Sequence, residues 1–117
     1  MYSVRVLKRE YEGCVDLVRK SKHRCAFFRS HTINRLIVLP KVKGQRFPSC
    51  DELELPSDCF EDVVIDRDVL SRLVHEVLSY INSHEDSNSE VSRTKVSRLR
   101  LLLVWLYSKL CSVSSHH

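Results

Sequence analysis

Residues 62–81, DVVIDRDVLSRLVHEVLSYI, carry the clearest structural signal in the chain. From Asp66 onward, apolar residues recur every three or four positions, at Val69, Leu70, Leu73, Val74, Val77, Leu78 and Ile81. This spacing places them on one face of a helix, which we predict over residues 66–82. Asp66 and Asp68 stand where the start of a helix favours a capping oxygen and negative charge. An apolar stripe of this kind is typical of a helix that packs on a core.

Upstream of this helix, residues 1–40 predict a small antiparallel β-meander. Residues 2–10 alternate between apolar and polar side chains, which is typical of a half-buried strand. Residues 25–29 and 35–39 predict two further short strands, and Pro40 should end the last strand or place it at a sheet edge. Residues 41–61 contain three Gly or Pro residues and are predicted to form a connector.

Downstream of the first helix, residues 84–90 (HEDSNSE) are polar, and Ser87 with Glu90 matches a capping box. We therefore predict a second helix over residues 89–110, followed by a tail over 111–117. Together the elements predict a single α+β domain over residues 1–117. In this domain the N-terminal antiparallel β-meander packs against a C-terminal two-helix hairpin.

The net charge of +4 hides a strong segregation of charge along the chain. Residues 1–50 carry a net charge of +9, residues 51–90 carry −10, and residues 91–117 carry +5. In one interpretation, the acidic block neutralises the basic ends within the fold. In the other, a basic face stays available for an acidic partner such as nucleic acid, either RNA or DNA.

The basic residues of the first half surround two adjacent aromatic residues, Phe27 and Phe28. Lysine and arginine neutralise phosphates, and exposed aromatic rings stack on unpaired bases. Neighbouring residues on a strand point to opposite faces, so we expect one ring in the core and the other at the surface. The leading hypothesis is therefore a nucleic-acid-binding or regulatory protein. Its predicted contact residues are Arg19, Lys20, Lys22, Arg24, Phe27, Arg29, Arg35, Lys41, Lys43 and Arg46.

The second half of the last helix, residues 99–107 (LRLLLVWLY), is apolar on almost every side. One stripe can pack on the first helix and the sheet, and the rest would be exposed in a monomer unless the helix is buried on both faces. The alternative hypothesis is a protein-interaction adaptor or homodimer that acts through this helix and the acidic connector. Its predicted interface is Leu99, Leu102, Leu103, Trp105, Leu106 and Tyr107.

Residues 62–66 (DVVID) resemble a SUMO-interacting motif, in which a β-branched run with acidic flanks adds a strand to the partner's sheet. The resemblance implies pairing between main chains together with two or three apolar pockets on the partner. The same run also fits a buried strand that leads directly into the helix.

Four residues of the types that bind tetrahedral zinc are Cys14, His23, Cys25 and His31. The paired spacing of zinc ligands is absent, so we predict no metal and no cofactor. The five cysteines follow no framework spacing, which is typical of reduced thiols. We find no phosphate-binding loop and no nucleophile elbow, and therefore predict a protein that is not an enzyme and has no small-molecule substrate.

The first ten residues lack the apolar segment of a secretory signal. The longest apolar run, residues 101–107, is far shorter than the roughly 20 residues that a membrane-spanning helix needs. We therefore expect a cytoplasmic or nuclear location without membrane contact. The low glycine content, the odd number of cysteines and the mixture of motif-like fragments are typical of small viral accessory proteins, although no family motif supports that origin.

Overall fold

The computed structural model describes residues 1–13, 27–41, 55–84 and 90–114, without the side chains of 90–92 and 112–114. Within these residues lie four strands: β1 (Tyr2–Leu7), β2 (Phe27–Ser30), β3 (Arg35–Val38) and β4 (Phe60–Ile65). Two α-helices follow them: α1 (Arg67–His84) and α2 (Glu90–Ser114). Short 3-10 turns occupy Arg9–Tyr11 and Ser57–Cys59.

The four strands form one antiparallel sheet in the order β2-β3-β1-β4. β1 pairs with β4 along its whole length, from Tyr2 opposite Ile65 to Leu7 opposite Phe60. β2 and β3 form a hairpin beside them. The two helices come after the sheet and pack on one of its sides. The predicted α+β fold, with an N-terminal antiparallel sheet and two C-terminal helices, is confirmed.

The strand order differs from that of a simple meander over residues 1–40, in which the second strand would lie between the first and the third. Here β1 is central, because β4 joins its other side. β4 begins at Phe60, inside the predicted connector 41–61, and continues through the residues that resemble a SUMO-interacting motif. These residues form a strand that leads into the helix, but it lies at the edge of the sheet and is buried only in part: Ile65 is 6% exposed and packs in the core, whereas Val64 is 60% exposed.

Helix α1 follows the apolar period that predicted it. Its buried residues are Leu70, Leu73, Val74, Val77 and Ile81. The carboxylate of Asp66 accepts a hydrogen bond from the backbone N–H of Val69 at 2.8 Å, so Asp66 caps the helix as predicted. The helix ends at His84, slightly beyond the predicted end at residue 82.

Helix α2 begins at Glu90 and ends at Ser114, so residues 111–114 are helical and not part of a tail. No glycine or proline follows Leu110, and the sequence therefore lacks a stop signal at the predicted end. The predicted capping residue Ser87 lies outside the described residues. Among the described residues, no helix has an apolar stretch of the length needed to cross a bilayer.

The core has two parts, one on each side of the sheet. Val4, Val6 and Ile37 point toward the helices and are at most 1% exposed. Leu7 and Leu36 point to the other side and belong to a second cluster. This division follows from the alternation of side chains along a strand. Each such side chain contributes about 1.5–3 kcal/mol of transfer free energy when it is fully buried.

A carboxylate of α1 holds the turn between β2 and β3. Glu76 accepts hydrogen bonds at 2.6 Å from the Ser30 hydroxyl and from the backbone N–H of His31. In the same turn Asn34 has a φ of 53°, a left-handed conformation that asparagine tolerates better than most residues. The hairpin is thereby fixed against α1 by polar contacts as well as by the core.

Candidate protein-binding surface

Helix α2 presents a row of large apolar side chains to water. Leu101, Val104, Trp105 and Tyr107 are 42, 66, 40 and 45% exposed, respectively. Because successive residues of an α-helix are about 100° apart, these four lie within less than half of the helix circumference and within two turns. We refer to Leu101, Val104, Trp105 and Tyr107 as the α2 surface.

Three of the predicted interface residues belong to the core instead. Leu99, Leu102 and Leu106 are 0, 5 and 0% exposed and pack in the main cluster. Their spacing of three and four residues places them on the face that α2 turns toward the sheet and α1. Leu103 is partly buried and packs against the same cluster. The prediction that Leu99 and Leu106 contact a partner is therefore wrong, because both are fully buried.

A cleft of about 490 Å³ opens beside the α2 surface, between β1 and β3. Leu101 and Trp105 contribute to both features. We refer to it as the β1–β3 cleft, and its lining residues are Ser3, Val4, Arg5, Ile37, Val38, Leu39, Pro40, Asp62, Leu101, Leu102 and Trp105. Its volume lies within the range of roughly 300–1,000 Å³ that is usual for binding pockets.

The charges on α2 are positive. The Nζ atom of Lys109 lies 4.5 Å from the centre of the Trp105 ring, a cation–π contact that keeps an ammonium group beside the α2 surface. Arg100 is exposed on the same helix. After Glu90 the sequence contains no acidic residue, and its basic residues are Arg93, Lys95, Arg98, Arg100 and Lys109. A partner with acidic groups around its apolar contact would therefore be favoured.

The predicted nucleic-acid face has no exposed phenylalanine at its centre. Phe27 and Phe28 are 2 and 4% exposed. They do point to opposite sides of the sheet, but both sides are covered there. Phe28 packs in the main core, and Phe27 packs in the second cluster with Leu36. The expectation of one exposed ring is therefore wrong, and neither ring is available to stack on a base.

Two of the predicted phosphate-binding arginines are engaged in ion pairs. Arg29 hydrogen-bonds through its Nη2 atom to the carboxylate of Glu12. Arg35 is 9% exposed, and its Nη2 atom donates to the carbonyl oxygen of Leu7 at 3.0 Å. The same atom lies 3.4 Å from a carboxylate oxygen of Glu61, which belongs to the acidic block of the sequence. Both guanidinium groups therefore join parts of the fold to one another.

Most of the remaining predicted site residues lie outside the described residues. Lys41 is exposed. The predicted nucleic-acid contacts that fall outside are Arg19, Lys20, Lys22, Arg24, Lys43 and Arg46. Of the weak zinc candidates, His31 is exposed, whereas Cys14, His23 and Cys25 also fall outside. In the part of the chain that the structure describes, no three His, Cys, Asp or Glu side chains come together as a metal site.

The phenol of Tyr11 has a raised pKa. The negative charge of Glu10, followed by Cys59, raises the pKa of the phenol above its ordinary value of 10.0. The phenol also hydrogen-bonds to Cys59, and the ring packs against the second cluster. Tyr11 is therefore neutral at neutral pH and contributes to packing. Neither of the described cysteines, Cys59 and Cys111, forms a disulfide.

The sequence did not single out three residues that the structure makes prominent. Leu101 and Val104 were missed because α2 is apolar on nearly all sides, so its period does not separate the core face from the outer face. Arg98 is 0% exposed, although an arginine in a basic run predicts contact with water. Its spacing of four residues from Leu102 was the available signal, because residues four apart lie on the same side of a helix and Leu102 belongs to the core.

No family model matches the chain, and no curated protein or solved structure matches it. What the protein does must therefore be inferred from its own residues.

Proposed function

We propose that this chain is a non-catalytic protein-binding module whose partner packs against the α2 surface. The observation that carries the proposal is the exposure of four large apolar side chains, between 40 and 66%, in one row on a single helix. Contiguous apolar surface that faces water is characteristic of sites of protein interaction. Aromatic residues such as Trp105 and Tyr107 are also enriched at the centres of such interfaces.

The arrangement of charge supports this proposal over nucleic-acid binding. Arg35 pairs with Glu61 of the acidic block, and Arg29 pairs with Glu12, so the acidic residues neutralise part of the basic N-terminal half within the fold. Phe27 is buried in addition. Nucleic-acid binding through residues 19–24 and 41–46 remains a prediction from the sequence, with its own test below.

A substitution that places a charge on the α2 surface tests the proposal. Val104→Asp introduces a carboxylate at a residue that is 66% exposed, so the fold should tolerate it while apolar docking should not. The matched control is Val64→Asp, because Val64 is 60% exposed on β4, away from α2. Co-purification from cells, quantified by mass spectrometry, should recover proteins with wild type and Val64→Asp that Val104→Asp fails to recover.

Light scattering on the purified proteins distinguishes a heterologous partner from a second copy. Wild type that dimerises, with Val104→Asp a monomer, would assign the α2 surface to self-association. Equal recovery of partners by all three forms would contradict the proposal, because it would mean that the exposed row on α2 has no role in binding. Circular dichroism should first establish that both variants keep the wild-type helix content.

A further inference from the structure

We infer that the β1–β3 cleft is an anchor pocket that takes one large apolar side chain from an acidic segment of the partner protein. The inference rests on the proposed function, because Leu101 and Trp105 belong both to the α2 surface and to the lining of the cleft. It goes beyond the proposed function in two respects: it identifies the part of the molecule that holds the partner most tightly, and it describes the chemistry of the segment that is held.

The cleft arises from the way β3 leaves the sheet. β1 pairs with β4 at six positions, but with β3 at one position, Val6 opposite Ile37. β3 ends at Val38, and Pro40 follows two residues later without an N–H that could continue the ladder. The two strands therefore separate toward the start of β1, where Ser3 lines the opening.

The lining of the cleft suits an apolar group that enters from water. Its inner residues Val4, Leu39 and Leu102 are buried hydrocarbon side chains of the core, so the base of the cleft is apolar. Its polar lining residues are all exposed: Ser3, Arg5 and Asp62. A pocket that is apolar inside and carries a few polar groups at its edge is the usual form of a binding site for an aromatic or aliphatic anchor.

Charge complementarity selects the partner. Beside the cleft, Lys109 holds its ammonium group over Trp105, and α2 has no acidic residue after Glu90. Arg5 is the cross-strand neighbour of Asp62, so these two charges offset one another, and Lys109 is the cation that remains beside the cleft residue Trp105. A second copy of this chain would bring an equally positive α2 and would be repelled. An acidic segment that carries an aromatic or leucine residue satisfies both the charge and the pocket.

Selection from a displayed library of random 12-residue peptides without tryptophan tests the inference on the full-length chain. Enriched peptides should carry Asp or Glu around a Phe, Tyr or Leu. Trp105 is the single tryptophan of the sequence and lines the cleft, so its fluorescence reports binding directly.

Ser3→Phe should fill the cleft and weaken binding of the selected peptide by about tenfold or more, as expected when an anchor side chain is excluded. Ser79→Phe also replaces an exposed serine with the same ring, but on α1 and outside the lining of the cleft, and should leave the affinity within about twofold.

The variants separate failure of the inference from failure of the proposed function. Loss of binding in Val104→Asp with full binding in Ser3→Phe would leave the α2 surface as the docking site and overturn the anchor pocket. Full binding in both Val104→Asp and Ser3→Phe would overturn both. Enrichment of basic peptides, or of none, would overturn the acidic partner, as would light scattering that finds a dimer. Should Ser3→Phe lower the melting temperature, Ser3→Leu fills the cleft with a smaller side chain and replaces it.

Discussion

Replacing Glu76 with alanine should lower the free energy of unfolding by about 2–3 kcal/mol. Glu76 accepts two hydrogen bonds of 2.6 Å, one from the Ser30 hydroxyl and one from the backbone N–H of His31. Hydrogen bonds to a charged group contribute roughly 1.5–3 kcal/mol each. The total should fall below the sum of two, because the His31 N–H is exposed and can bond to water after the carboxylate is removed. Ser30 is 0% exposed, so its hydroxyl is the group that water replaces poorly.

Two further variants isolate the contribution of the carboxylate. Glu76→Gln keeps the length of the side chain and one acceptor oxygen but loses the charge, so it should cost about 1 kcal/mol. Arg72→Ala is the control, because Arg72 is exposed one turn earlier on the same helix. It should change the stability by no more than about 0.5 kcal/mol.

Urea denaturation followed by circular dichroism measures all three variants. The midpoint should fall in the order Arg72→Ala, Glu76→Gln, Glu76→Ala, with the slope unchanged, since the surface exposed on unfolding stays the same. The reasoning is refuted if Glu76→Ala lies within about 0.5 kcal/mol of Arg72→Ala, the range of ordinary surface substitutions. That result would mean that the core alone holds the β2–β3 turn against α1.

Three other predictions concern a cap, a turn and the basic segment. Asp66→Ala should cost about 1 kcal/mol in the same urea assay, because it removes the N-cap of α1, and an unchanged midpoint would argue against that role. Asn34→Gly should be nearly neutral, whereas Asn34→Val should cost about 1–2 kcal/mol because of the left-handed φ of 53°. If residues 19–24 bind nucleic acid, fluorescence anisotropy should find an affinity that falls steeply with salt, and charge reversal at Lys20, Lys22 and Arg24 should reduce that slope. Absence of binding to single- and double-stranded RNA and DNA at low salt would reject nucleic-acid binding.

The elements that the sequence predicted best are those with a regular apolar period. Helix α1 and strand β1 each bury one face against a single core, so the period of 3.6 or 2 stands out from the polar residues between. The strand order could not be read in the same way. β1 lies between β3 and β4 because residues far apart in sequence pair with it, and the alternation within a strand carries no information about its neighbours.

The candidate site was predicted only in part, because exposure on an apolar helix depends on its neighbours. Trp105 and Tyr107 were expected at the surface and are found there, but Leu99 and Leu106 are fully buried. In the sequence all four stand in the same apolar run. What separates them is the direction from which the sheet and α1 approach, and this is a property of the folded chain.

The basic residues show the same dependence on distant neighbours. Arg35, on β3, forms an ion pair with Glu61, which lies 26 positions later in the sequence. Glu61 belongs to β4, on the other side of β1 in the sheet. Because Arg35 is 9% exposed, loss of Glu61 would leave the guanidinium group in a poorly hydrated place without its carboxylate partner. A block of like charge in the sequence therefore does not by itself define a basic surface, because some of its members are used to join strands.

The two-layer architecture gives a physical reason for treating the outer face of α2 as functional. In a fold with one sheet layer and one helix layer, the core face of a helix is covered and its outer face meets water. α1 obeys this rule, since its exposed positions are polar or charged residues such as Arg72, His75 and Asn82. α2 departs from it with Val104 and Trp105, which are 66 and 40% exposed. Because large apolar side chains exposed to this degree are characteristic of interaction sites, a binding partner that covers them is the explanation we favour.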